Sequence, residues 1–199
     1  MIPAMPTLTL LQTPPNPDAW HQVKAPGGYE GWYFDAEDGD AKLKITGFIG
    51  QGCRFEGSYR KQYFRYRRHP TKNPPPVPCD FGTCEWHIGG KIGDITASLS
   101  GRVQASTDHL DVALGANQLT SDGEGIRLKL SNGNNISIEL RFATGSQRLI
   151  VTPPGLDNRH HWMKLPGCQV TGVISVSGEK HSFQGSGSLE HRHGTAPIG

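Results

Sequence analysis

Ile126-Arg127-Leu128-Lys129-Leu130-Ser131-Asn132-Gly133-Asn134-Asn135-Ile136-Ser137-Ile138-Glu139-Leu140-Arg141-Phe142 alternates apolar and polar side chains, turns at Asn-Gly, and alternates again on the way back. A period of two places Ile126, Leu128 and Leu130 on one side with Ile136, Ile138 and Leu140, and sends Arg127, Lys129, Glu139 and Arg141 to the other. This is the pattern of an antiparallel hairpin with one buried and one wet face. It recurs along the chain between Asp38-Gly39, Asp122-Gly123 and Ser177-Gly178, dipeptides suited to tight turns. The strands read outward from it are Glu30–Asp35, Lys42–Ile49, Cys53–Arg67, Glu85–Ile88, Asp94–Leu99, His109–Leu114, Gln169–Val176 and His181–His191. Helical periodicity is nearly absent, so the expected fold is an all-β, single-domain antiparallel barrel.

The chain has 199 residues and a formal charge of +2, enough for one sizeable core and too mild for a general nucleic-acid binder. The basic stretch Tyr59 to Arg68 interleaves cations with rings, but as an extended strand it sends both kinds to both faces and builds no stacking platform. No apolar run of membrane length occurs, and the proline-interrupted opening carries no secretory pattern. The four cysteines are therefore expected as reduced thiols, and the expected location is cytoplasmic. Residues 1–26 read as an extended N-terminal segment and 27–199 as the barrel. Arg67 to Gly82, with five prolines, is longer than a connector needs and reads as a lid or rim over a barrel mouth.

Chemistry gathers at the two ends of the chain. In Tyr29-Glu30-Gly31-Trp32-Tyr33-Phe34-Asp35-Ala36, Glu30, Trp32 and Phe34 share one face and Gly31, Tyr33 and Asp35 the other. Near the other end, His160-His161-Trp162 precedes Ser188-Leu189-Glu190-His191-Arg192-His193. A carboxyl, imidazoles and an indole on pairable strands can protonate or cradle an apolar substrate. His191 and His193 share a face, but Glu190 points away from them, so a metal would need a carboxylate from elsewhere and none is expected.

These segments resemble the carotenoid 1,2-hydratase (hydroxyneurosporene synthase) family and its lipocalin-like relatives, which include fungal decalin-forming cyclases. Tyr29 to Ala36 match Tyr-Glu-Trp-Trp-Tyr-x-Asp-Ala with Gly31 for the first Trp. His160 and Trp162 fit His-x-Trp, and Gly187 to Gly194 fit Gly-Tyr-x-Asp-His-Asn-x-Gly with Ser188 for Tyr and Glu190 for the acid. The resemblance implies a lipocalin-like barrel with Glu190, His160 and Trp162 as catalytic residues and Glu30, Trp32, Phe34, His161 and Ser188 around a hydrophobic polyene or polyketide in the lumen. Cofactor-free cyclisation by confinement ranks first, because Ser188 lacks the hydroxyl arrangement of the hydratases. Hydration with Glu190 as general acid, its pKa raised in an apolar lumen, ranks second, and a non-catalytic lipid or pigment carrier third. Better-known members carry a second β domain. Substrate identity and oligomeric state are not legible.

Overall fold

The computed structural model describes residues 17–51, 57–143, 149–151 and 158–197. Eleven strands follow one another around a nearly closed antiparallel barrel in the order β4-β3-β2-β1-β12-β11-β9-β8-β7-β6-β5, with β10 paired to β11 alongside. The strands are β1 (Tyr29–Asp38), β2 (Leu43–Gly50), β3 (Phe81–Gly90), β4 (Ile95–Arg102), β5 (Gln104–Ala105), β6 (Asp111–Leu114), β7 (Asn117–Ser121), β8 (Gly125–Ser131), β9 (Ile136–Ala143), β10 (Leu149–Val151), β11 (His160–Val176) and β12 (Glu179–Gly194). The opening hairpin forms in the expected register, with Leu128 opposite Leu140 and Lys129 opposite Glu139. The four turn dipeptides all join neighbouring strands. At Ser177-Gly178 both residues have positive φ, 51° and 88°, which matches the strand twist as a type I′ turn.

One expected strand is a helix. Residues 57–68 form α1 (Gly57–Arg68), while Cys53 lies outside the described residues. Tyr59, Tyr63 and Tyr66 are spaced four and three apart, so a helix collects them on one side. Arg65, Arg67 and Arg68 occupy the last turn, where cations complement the helix dipole. The Asn73 side-chain amide donates to the carbonyls of Arg65 and His69 and closes the C-terminus.

The interior carries a hydrophobic core. Trp32, Phe34, Trp86, Phe142, Phe183, Leu165 and Leu189 belong to one buried cluster. Two glycines make the space: a Cβ at Gly47 would stand 2.6 Å from the Phe34 ring, and one at Gly187 would stand 3.0 Å from Phe142. Trp32 and Phe34, expected around a lumen, are 3% and 4% exposed and belong to this cluster. β11 changes which residues face it. A bulge lies between Leu165 and Cys168, with Gly167 at φ 63°, so inward positions switch from His161, Met163 and Leu165 to Cys168, Val170 and Ile174. Cys79, Cys84 and Cys168 are free thiols, and burial pushes Cys84 up to about 12.

Where β1 ends, the buried Asp38 carboxylate takes over from the ladder, accepting the backbone N–H of Ala41 at 2.8 Å and of Gln184 at 2.7 Å. Asp38→Ala removes the acceptor of both part-buried donors and is expected to cost about 1–3 kcal/mol in chemical denaturation, the penalty of one unsatisfied buried group, since water can reach the other. The amide of Ala41 and then that of Gln184 hold this carboxyl below its ordinary value. Its contribution is thus complete above the unfolded-state pKa and is lost as pH falls through the lower folded value. Asp38→Asn should flatten that part of the acid-unfolding curve.

Candidate functional site

The outward positions of β1, β11 and β12 form a continuous aromatic and charged surface. Registers place Tyr33 and Lys164 on either side of Glu190, Gly31 and Trp162 on either side of Arg192, and Tyr29 and His160 on either side of Gly194. The Arg192 guanidinium stacks over Tyr33 at 4.5 Å and Trp162 at 4.3 Å, and donates to Glu190. Lys164 Nζ reaches the other Glu190 oxygen at 3.0 Å. Trp162 Nε1 donates to the Tyr29 hydroxyl at 3.1 Å, and that hydroxyl lies 3.0 Å from Nδ1 of the buried His160.

This surface borders a groove of about 420 Å³. Tyr29, Tyr33 and Phe48 line it from the sheet, Tyr59, Tyr63 and Tyr66 from α1, and Pro75 and Pro76 from the proline-rich segment. The Gly27 N–H donates to the Pro76 carbonyl at 2.7 Å, fixing that wall to the start of β1. The segment expected over a barrel mouth thus flanks an outer groove instead. Tyrosine-lined and half-open, with the Glu85 carboxylate in its wall and the Arg192 stack behind Tyr33, such a groove suits an apolar, unsaturated molecule.

Electrostatics reverse the expectation for Glu190. Burial favours its neutral form, but hydrogen bonds from Arg192 and Lys164 outweigh burial and hold its carboxyl below the ordinary range. It is an anion bound by two cations. Burial, partly offset by the Trp162 hydrogen bond, raises the Tyr29 hydroxyl and keeps it protonated.

The inward face at the same end of the barrel carries a second cluster. Glu30 is fully enclosed, with Oε1 at 3.0 Å from His21 Nδ1 and 3.1 Å from His191 Nε2. His193 stacks on His21 at 3.8 Å, His161 lies 5.0 Å from His193, and Trp32 lies flat against His191 at 4.7 Å. Burial opposes ionisation of Glu30, yet hydrogen bonds from His191 and His21 hold it at about 2. Burial and the neighbouring imidazoles push His193 down to about 3.

The sequence-predicted residues therefore divide between two faces. Glu190, His160, Trp162 and Ser188, the last bonded to Asp35, lie on the outward face, whereas Glu30, Trp32 and Phe34 are buried inside and His161, at an inward-facing position, is exposed at the barrel end. The alternation within Tyr29–Ala36 was readable and correct. Tyr29, Arg192, Lys164 and the helical tyrosines escaped the sequence reading, although the four-and-three spacing of the tyrosines was a usable signal. His21 escaped it too, since nothing local ties that residue to β1.

No family model matches the chain. It is 26% identical over 208 residues to hydroxyneurosporene dehydrogenase of Chlorobaculum tepidum, covering 90% of this chain and 53% of that protein. The chain thus spans about half the length of this curated relative. An AttH-type protein from Nitrosomonas europaea shares the fold with a TM-score of 0.66 at 12% identity, covering 100% of this chain and 58% of the other. Kievitone hydratase from Nectria haematococca follows with a TM-score of 0.54 at 12% identity over 89% of this chain and 51% of its own. CghA, in a complex with Sch210972, gives 0.53 at 11% identity over 86% and 47%. Among the described residues no helix is long and apolar enough to cross a membrane. The chain has a lipocalin-like barrel fold and is similar in sequence to hydroxyneurosporene dehydrogenase.

Proposed function

We propose that this barrel belongs to an enzyme that folds and cyclises an apolar, unsaturated small molecule, a polyene or polyketide, in the tyrosine-lined groove outside β1–β3. The observation that carries the reading is the groove itself: ring faces from sheet and helix converge on about 420 Å³ beside the Arg192 stack. Confinement of one folded pose converts a floppy chain into oriented partners and can contribute up to about 7–11 kcal/mol without a cofactor. Arg192 and the Tyr29 hydroxyl bring hydrogen-bond donors to the edge, where they would polarise a substrate carbonyl. The likeness to CghA supports this reading at the level of fold.

Hydration is the second reading, favoured by one feature. Tyr29 remains protonated at neutral pH beside the groove, whereas Glu190 does not, so protonation of an alkene would fall to Tyr29 with His160 behind it. Incubation with acyclic polyene and polyketide chains, followed by mass spectrometry, separates the readings. An isomer of unchanged mass is expected. A gain of one water would establish hydration, and bound but unaltered ligand would make the protein a carrier.

A further inference from the structure

From the His21–Glu30–His191 cluster we infer a binding site for one first-row divalent cation of the zinc class, which clasps the N-terminal segment to the barrel. The site lies on the inward face of β1 and β12 and is independent of the groove reading.

Four observations converge on it. One ligand atom from each of His21, Glu30 and His191 lies within 4.8 Å of the others, a two-imidazole, one-carboxylate set. His191 Nδ1 lies 2.8 Å from the Pro17 carbonyl, which can only accept, so Nδ1 carries the hydrogen and Nε2 is turned toward Glu30. This outer hydrogen bond is the arrangement that orients metal-ligating histidines. Trp32 fixes the same ring from its face, with planes 4° apart. Finally, Glu30 Oε2 is buried without a hydrogen-bond partner, while Oε1 receives the His21 N–H at 2.8 Å and faces both imidazoles. A fully enclosed, incompletely bonded carboxylate is costly, and a cation held between it and the two imidazoles would offset its buried charge.

The ligands also come from parts of the chain that lie far apart in sequence. His21 sits in the segment that crosses the barrel end, where Trp32 Nε1 donates to the Asp18 carbonyl at 3.0 Å and the Trp20 N–H to the Ser106 carbonyl at 2.8 Å. A cation on His21, Glu30 and His191 would staple this segment to the first and last strands of the barrel.

Calorimetric titration of tag-free, chelator-treated protein with Zn²⁺ tests the inference, with Co²⁺ absorption reporting tetrahedral nitrogen and oxygen ligation. One ion per chain is expected, with micromolar or tighter affinity. His21→Ala, which alters only the most exposed ligand, should weaken binding about tenfold or more while the circular dichroism spectrum stays unchanged. Glu30→Gln should do the same if it folds, and His109→Ala, on an exposed turn, should change nothing. Zn²⁺ should also slow hydrogen exchange in residues 17–26. Absence of saturable binding, or binding that His21→Ala leaves intact, overturns the site.

Discussion

Phe34→Ala is expected to lower the unfolding free energy by about 3–5 kcal/mol, read as a shift of the urea midpoint at constant slope. Phe34 is 4% exposed and occupies space that only a glycine opposite it leaves, since a Cβ at Gly47 would overlap the ring. Truncation leaves a void whose other wall is bare backbone, with no side chain at position 47 to swing in. Against total stabilities of about 5–15 kcal/mol this is a large fraction, so any loss of activity should follow the unfolded population. A Phe34→Ala protein as stable as the parent but inactive would return this residue to the substrate site.

Trp162→Ala should show the opposite balance. The indole is half-buried, and its loss should cost only about 1 kcal/mol of stability, in the range of one cation–π contact. It nevertheless holds the Tyr29 hydroxyl and the Arg192 guanidinium in place. Displacing both beside the groove is expected to reduce turnover about a hundredfold, because small errors of position are expensive when catalysis rests on orientation. Glu190→Gln should stay within about tenfold of the parent, since an anion paired with two cations contributes no proton. If Glu190→Gln were dead and Trp162→Ala active in the steady-state assay, general-acid hydration through Glu190 would replace the proposal.

Most of the barrel was legible because alternation and turn chemistry act locally. Ile126 to Phe142 needs no distant partner to declare its two faces. The Tyr59 to Arg68 stretch misled because aromatic residues favour strands on average, while the helix there depends on tyrosines meeting a sheet that sequence does not display. β5, β7 and β10 are short, and their pairing rather than their composition defines them. In β11, the bulge between Leu165 and Cys168 inverts the alternation, so a uniform period misassigns one half of the strand. The candidate site was half legible. Its residue types were visible at the two ends of the chain, but the face of Glu190 follows from pairing with Tyr33 and Lys164, and the carboxylate absent from the histidine-rich tail is supplied by Glu30.

The first and last strands of the barrel are direct neighbours: Ser188 bonds Asp35 across 153 residues, and His191 meets Pro17 across 174. During synthesis β1 therefore leaves the ribosome with one edge lacking its partner, and waits until nearly all the described chain has followed. The His21–Glu30–His191 cluster and the Arg192–Tyr33 stack straddle this seam, so neither can assemble before the closing step. Closing so long a loop costs entropy before its contacts repay it, which makes the seam a late event and its open edge a target for chaperones or stray strands.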